Sequence, residues 1–280
     1  MLVVFSDLDG TLFNREYSFK KATPALQILK EKRIPLVLCS SKTETEMIPL
    51  RKELSNTDPF IVENGGAIFI PEDYFKLKFD YSWRKGRYKV IEIGRRNSRL
   101  EEILSKIGEE LEIKVKTFST MTTEEIASLT GLNKKEIKSA KKREYSEPFI
   151  IQGSSKEINQ IERRIKKMNL LFTQGESFYY IMTSNKGIAA LKLMNLYKDE
   201  FKEKIIFIGI GDNYNDLPLL SVVDIPVLVK KPSGNYESRI KLPNLIRAKG
   251  VGPEGWRESI ISLLSELEEE TKWEISFKME

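Results

Sequence analysis

The chain has 280 residues, with 46 basic and 41 acidic side chains, no histidine and one cysteine, for a formal net charge of +5. This composition excludes an internal disulfide, histidine phosphatases, Ser-His-Asp hydrolases and histidine-rich metal sites. Acid–base chemistry is left to carboxylates, lysines and tyrosines. With 40% hydrophobic residues the chain suits one large or two smaller globular domains, and no apolar run reaches the ~20 residues of a membrane span. Lysines interleave with glutamates, as in Lys141-Lys142-Arg143-Glu144, which favours a solvated surface over a nucleic-acid-binding face. The same Lys/Glu richness fits a thermophile, and the start reads as a strand rather than a signal peptide, so the protein is expected in the cytoplasm.

The apolar run Leu2-Val3-Val4-Phe5 predicts a buried strand at about 2–6. It ends in Asp7-Leu8-Asp9-Gly10-Thr11, two carboxylates at i and i+2 that share one side of an extended chain. Such a pair makes a hard oxygen site suited to magnesium, and Gly10 lets the chain turn away at once. A helix follows at about 22–32, with Thr23 as N-cap and Pro24 at its first position. A second strand, Ile34 to Cys39, leads to Ser40-Ser41-Lys42-Thr43 and a helix carrying Glu44, Glu46 and Met47. A third, Phe60-Ile61-Val62, ends in Glu63-Asn64-Gly65-Gly66. This βαβαβ alternation predicts a parallel sheet with crossover helices.

From about 82 to 181 the texture changes. Tyr88 to Ile93 alternates like a half-buried strand, three helical stretches follow, and Phe149–Ile151, Leu170–Phe172 and Phe178–Ile181 read as short strands. The expectation is an α+β domain, residues 82–181, inserted into an α/β core of residues 1–81 and 182–280. The core resumes with a helix at about 186–198 and a strand, Ile205 to Ile210, that ends in Gly211-Asp212-Asn213-Tyr214-Asn215-Asp216. A strand at Ile225–Val229 and an amphipathic helix at about 255–269 complete it. The charged tail after Thr271 has no assigned role.

In an open parallel sheet, ligands sit beyond the carboxyl ends of the strands. Asp7, Asp9, Ser40, Asn64, Asp212 and Asp216 all fall there, and Lys186 opens the helix after the insertion. Taken singly, Ser40 reads as a helix cap, Lys186 as a surface lysine, and Asp212–Asp216 and Asn64-Gly65-Gly66 as turns. Shared placement joins them. Phosphomonoester hydrolysis needs positioning and charge neutralisation above all. If the substrate is a phosphate monoester, Asp7 would serve as nucleophile and Asp9 as general acid and base, with Mg held by Asp7, Asp212 and the carbonyl of Asp9. Ser40 and the amides after it hold phosphate oxygens, Lys186 neutralises charge, and Asp216 orients the metal's waters or Lys186.

At these residues the chain resembles the haloacid dehalogenase (HAD) superfamily of aspartate-nucleophile phosphatases. Asp7–Thr11, Ser40, Lys186 and Gly211–Asp216 are similar to its four motifs. The resemblance implies a Rossmann-like parallel-sheet core with an α+β cap inserted between the second and third motifs. Ser40–Thr43, Glu63–Gly66, Arg143-Glu144-Tyr145-Ser146-Glu147-Pro148 and Gly252–Trp256 look like segments of the branch that dephosphorylates mannosyl-3-phosphoglycerate. A phosphorylated sugar-glycerate is the implied partner, with glucosyl-3-phosphoglycerate or another sugar phosphate as the alternative. Arg143 and Lys42 would pair with its anions, or Arg143 with a surface carboxylate. Ser41, Asn64, Gly65 and Asn213 would line the phosphate. Glu144, Glu147 and Gln152 would bond sugar hydroxyls. Two positions depart from the pattern, Ser177 in the cap and Asn185 before the lysine. A nucleic-acid-binding protein and a catalytically silent scaffold are the competing classes, and the intact acidic set argues against the second.

Overall fold

The structure is a computed structural model that describes residues 1–96 and 99–277, the side chains after residue 269 excepted. The last three residues of the charged tail lie outside the described residues. In chain order the strands are β1 Leu2–Ser6, β2 Leu36–Cys39, β3 Phe60–Val62, β4 Ala67–Pro71, β5 Trp83–Lys85, β6 Tyr88–Glu92, β7 Lys114–Thr117, β8 Ser146–Gln152, β9 Leu171–Gln174, β10 Tyr179–Met182, β11 Ile206–Gly211, β12 Ile225–Lys230 and β13 Ile246–Val251. The helices are α1 Thr23–Glu31, α2 Glu44–Glu53, α3 Leu100–Leu111, α4 Thr123–Thr130, α5 Lys134–Ala140, α6 Ser155–Lys167, α7 Lys186–Phe201, α8 Leu217–Leu220 and α9 Gly252–Phe277.

The large sheet has the order β13-β12-β11-β1-β2-β3-β4-β6-β5. From β13 to β3 every pair is parallel, and the β4, β6, β5 edge is antiparallel. Alternate residues of the central strands feed the two faces. Val4, Leu38, Ile208 and Ile210 pack under Leu29 of α1, Met47 of α2 and Trp256 of α9. Val3, Phe5, Val37 and Phe207 pack under Ala189, Leu193 and Tyr197 of α7. A strand buried on both faces needs the near-continuous apolar run that made β1 and β11 legible.

A second sheet, β7-β8-β10-β9, is antiparallel throughout. Helices α3 and α6 cover one face around Leu104, Ile107, Ile161 and Ile165. On the other, Phe118, Tyr180 and Met182 meet Ile126 of α4 and Ile137 of α5.

Several boundaries differ from the sequence expectation. The break at residue 82 moves: β5 and β6 hydrogen-bond into the large sheet, and the chain leaves it only after Gly94, whose N–H donates to the Gly66 carbonyl at 2.8 Å. A half-buried alternating strand is equally compatible with either sheet, so periodicity could not place it. Four helices, α3 to α6, occupy the insertion where the sequence pattern predicts three, and Gly131 (φ +74°) and the N-cap Asn133 separate α4 from α5. Thr23 is the first residue of α1 rather than its cap; a 3-10 turn, Lys20–Ala22, runs straight into the helix. Helix α9 runs past 269 to Phe277. Among the described residues no helix is long and apolar enough to cross a membrane.

Candidate active site

The chain reverses direction across the sheet at β1. It runs from β1 to β2 and β3 on one side, then returns through β11 to β12 and β13 on the other. The crevice at such a reversal gathers loops from both halves. Asp7 follows β1 and Asp212 follows β11, and the Asp7 N–H donates to the Ile210 carbonyl at 2.9 Å. After Asp9 the chain turns tightly, with Phe13 N–H on the Leu8 carbonyl at 2.8 Å. Gly10 adopts φ +81°, and a Cβ there would lie 2.6 Å from Asp212 Oδ2. Thr11, 201 residues away in sequence, donates its hydroxyl to Asp212 Oδ1 at 3.1 Å. The Gly252–Trp256 segment supports this turn from below: Trp256 Nε1 donates to Ser6 Oγ at 2.9 Å, and Ser6 Oγ to the Asp7 carbonyl at 2.7 Å.

Lys186 is fully buried, and its Nζ lies 2.5 Å from Asp7 Oδ1 and 2.6 Å from Asp216 Oδ1. It opens α7, whose N-cap Asn185 accepts from Ile188 N–H at 3.0 Å, so the asparagine that departs from the family pattern does an aspartate's capping work. Burial opposes the Lys186 charge, but Asp216 and Asp7 outweigh it and hold the ammonium well above its usual range. Burial, with Asp216 beside it, pushes the Asp7 carboxyl up to about 7 against the pull of Lys186. Burial and the neighbouring Asp216 and Asp7 likewise push Asp212 upward. Asp216 Oδ2 accepts the N–H groups of Asp212 and Asn213, each at 3.0 Å. Both oxygens of Asp216 are thus committed to protein donors.

Asp7, Asp212 and Asp216 each bring a carboxylate oxygen within 4.8 Å of the others. One lysine faces three buried acids, which is a charge surplus that a divalent cation would relieve. Asp7 and Asp212 fit such an ion, each having an oxygen not engaged by Lys186 or Thr11; Asp216 fits the supporting role.

After β2, Ser40 is buried and its Oγ accepts from the Lys42 N–H at 3.2 Å. Thr43 caps α2 in a reciprocal box with Glu46. The Lys42 ammonium is buried 3.0 Å from Asp9 Oδ2 and 4.8 Å from the centre of the Tyr17 ring. After β3, Asn64 Oδ1 accepts from Asn215 Nδ2 at 3.1 Å, and Gly65 (φ +98°) packs so close to the Asn185 carbonyl that a Cβ would sit 2.0 Å from it.

Above these residues lies a cleft of about 870 Å³, part of it open to solvent. Its core side includes Asp7, Asp9, Ser41, Lys42, Asp212 and Asn213, and its cap side Arg143 and Ser177 with an apolar wall of Phe118, Leu132, Phe178 and Tyr180. Lys186 and Asp216 lie buried behind Asp7, and Asn64 lines a smaller cavity with Asn185, Lys186 and Asn215.

Three expected sugar-binding residues are elsewhere. Glu144 is exposed and pairs with Arg96 at 3.4 Å. Glu147 accepts from Ser119 N–H at 2.8 Å and lines a neighbouring cavity that shares only Phe118 and Arg143 with the cleft. Gln152 sits exposed at the far end of β8, opposite Lys114. Proximity in sequence to Arg143 suggested them, but an extended chain moves ~3.3 Å per residue and leaves the site within a few positions. Sequence reasoning also passed over Thr11 and Glu63 as turn residues, and over Arg15 and Arg239. Those two arginines reach from core loops to the cap: Arg15 Nη2 to Glu176 Oε1 at 2.7 Å and Arg239 Nη1 to Gln174 Oε1 at 2.9 Å.

The fold and site define an α/β protein of the doubly wound, capped kind, built around a buried aspartate and lysine at the switch point of a parallel sheet. Residues 4–239 match the family of haloacid dehalogenase-like hydrolases, and the chain belongs to it. It is 40% identical over 264 residues to the glucosyl-3-phosphoglycerate/mannosyl-3-phosphoglycerate phosphatase of Methanococcoides burtonii, covering 94% of this chain and 97% of that one. It is also 40% identical over 272 residues to the protein of the same description from Persephonella marina, covering 95% and 98%. Among solved structures, Thermoplasma acidophilum 0175 superimposes with a TM-score of 0.65 at 17% identity, covering 94% of this chain and 97% of that one, a likeness of fold.

Proposed function

We propose that the chain is a magnesium-dependent phosphatase that cleaves glucosyl- and mannosyl-3-phosphoglycerate through an aspartyl-phosphate on Asp7. The observation that carries this reading is the buried chain Asp7–Lys186–Asp216 beside Asp212, set at the floor of a capped cleft. Both sugars are included because the two relatives carry both in their descriptions.

In this reading a bound Mg²⁺, held by Asp7 and Asp212, supplies neutralisation of the phosphate's charge. Lys186 holds Asp7 in place and offsets its charge, and a carboxylate oxygen of Asp7 attacks phosphorus. The P–O bond to C3 of the glycerate breaks, and Asp9 gives its proton to that departing oxygen. Asp9 then takes a proton from water, which attacks the phosphorus of the aspartyl-phosphate and returns Asp7 as a carboxylate. The Ser41 amide and the Ser40 hydroxyl hold phosphate oxygens at the start of α2, the Lys42 and Thr43 amides being taken by Ser40 Oγ and Glu46. Arg143 faces the glycerate carboxylate, a planar anion suited to a guanidinium, and the Phe118–Tyr180 wall packs against the sugar.

Phosphate release, with and without magnesium, from both glycosyl-3-phosphoglycerates and from mannose 6-phosphate tests this. A metal-dependent kcat/KM at least ~100-fold higher for the glycerate substrates is expected. Equal activity on the hexose phosphate would reduce the assignment to a general sugar phosphatase, and release that ignores metal would remove the magnesium role.

A further inference from the structure

One buried carboxylate takes no part in the chemistry above. Glu63 follows β3 and is 3% exposed. Its Oε2 accepts the Tyr145 and Ser146 N–H groups at 3.0 and 3.1 Å and the Ser146 hydroxyl at 3.0 Å, while Oε1 takes the Glu144 N–H at 3.0 Å. Three consecutive backbone donors of the inserted segment thus close around one core side chain. Each charge-assisted bond of this kind is about twice as strong as a neutral one. The turn that presents Glu63 is strained, with Glu63 at φ +48° and Asn64 at φ +55°. Conformations of this kind persist only where the surroundings over-determine them.

The residue immediately before this trio is Arg143. Its side chain is 9% exposed, lies 3.9 Å from the carboxylate of the equally buried Glu46, and donates to the Ser41 carbonyl at 3.2 and 3.3 Å and to Ser146 Oγ at 3.2 Å. Its Nε is buried and has no hydrogen-bond partner among the described residues. Tyr145 completes the attachment: its side chain fills the space that a Cβ on Gly66 would need, its own Cβ 2.3 Å away, and its hydroxyl donates to Glu92 at 2.6 Å.

We propose that Glu63 is a positioning residue for substrate recognition: by pinning Glu144–Ser146 to the core it fixes Arg143 as a preformed anion site that belongs functionally to the core. This rests on the proposed function, because it is the glycerate carboxylate that Arg143 would meet. Recognition is then divided. Arg143 stays with Ser41 and Lys42 when the cap moves, while the Gly175–Phe178 wall travels with the cap.

The test is steady-state kinetics of wild type, Glu63→Gln, Arg143→Met and the double variant, on mannosyl-3-phosphoglycerate and on mannose 6-phosphate, which lacks the carboxylate. Glu63→Gln is expected to raise KM for the glycerate substrate at least ~10-fold, with a several-fold smaller effect on mannose 6-phosphate. Acting through one residue, the two substitutions are expected to be strongly non-additive. Additive losses, or equal losses on both substrates, would overturn the proposal in favour of a purely structural role. Ser146→Ala removes one donor to Glu63 and one acceptor of Arg143, and should shift KM in the same direction by less; an unchanged KM there, should Glu63→Gln fail to fold, would also overturn it. A wild type that ignores both glycosyl-3-phosphoglycerates but cleaves mannose 6-phosphate overturns the function reading itself, visibly before any variant is compared.

Discussion

At the scale of single residues, the site concentrates charge where water cannot screen it. Lys186 and Asp216 are both fully buried, and Asp7 nearly so. Removing the lysine leaves the acids uncompensated, so Lys186→Met should destabilise the metal-free protein by about 3–5 kcal/mol. Asp7→Asn removes one of the repelling charges and should cost far less stability while abolishing phosphate release. Thermal unfolding in chelator, beside a phosphate assay, checks the contrast; equal destabilisation by the two would contradict it. Asp9 sits nearer solvent, and Asp9→Asn should slow turnover by at least ~100-fold, the usual scale of general acid–base help. Gly10 tests geometry instead of charge. Its positive φ and the 2.6 Å approach to Asp212 Oδ2 mean that Gly10→Ala must displace Asp212. Isothermal titration should find magnesium affinity falling more than ~10-fold; an unchanged affinity would separate Asp212 from the metal.

At the scale of elements, the loop after β12 braces the loop after β11. Glu237 accepts from Arg239 and Lys231, at 2.7 and 2.6 Å, and Lys231 also reaches Asn213 Oδ1 at 3.3 Å. Arg239, foremost, and then Lys231 hold the Glu237 carboxyl down at about 2, against burial and below its ordinary 4.5. A folded pKa below the unfolded one gives stability that is complete above about 4.5 and lost as pH falls toward 2. Glu237→Gln should therefore flatten the acid limb of the stability–pH curve and change little near neutrality beyond a constant loss. A curve parallel to wild type from pH 2 to 5 would refute it. None of this was visible in the sequence, since Lys231, Glu237 and Arg239 are near neighbours that read as an ordinary charged loop. By contrast β1, β2, β3, β11 and β12 were legible because burial on both faces demands unbroken apolar runs, and Asp7, Ser40, Lys186 and Asp212 because strand ends converge. Strand β5 has no buried residue and β6 only two, Val90 and Ile91 on opposite faces, and nothing local says which sheet they join. Glu144, Glu147 and Gln152 failed for a similar reason: side-chain destination is a tertiary property.

At the scale of the molecule, the cap is attached unequally on its two sides. One side is pinned through Glu63, with Arg143 on the Ser41 carbonyl; the other is held by Arg15–Glu176, whose side chains are 65% and 53% exposed, and by the exposed bond from Arg239 to Gln174. An exposed pair is worth only about 0–1 kcal/mol. Opening should therefore begin at residues 174–178. Hydrogen exchange of Arg15→Ala should quicken there several-fold and stay at the wild-type rate at 144–146; uniform quickening would mean a cap that moves as a rigid lid. The large sheet has a different consequence, for synthesis. Leu2 pairs with Ile206, so the central strand β1 waits for its second neighbour until the ribosome has passed the whole insertion. During that time one edge of an apolar strand stands open to any passing chain. The segment that forms the second sheet emerges while the core is still incomplete, and its early closure is the local event available to shelter the nascent polypeptide. Activity waits on synthesis past Asp216, and ribosome pauses between Lys186 and Ile206 are where this protein would most need a chaperone.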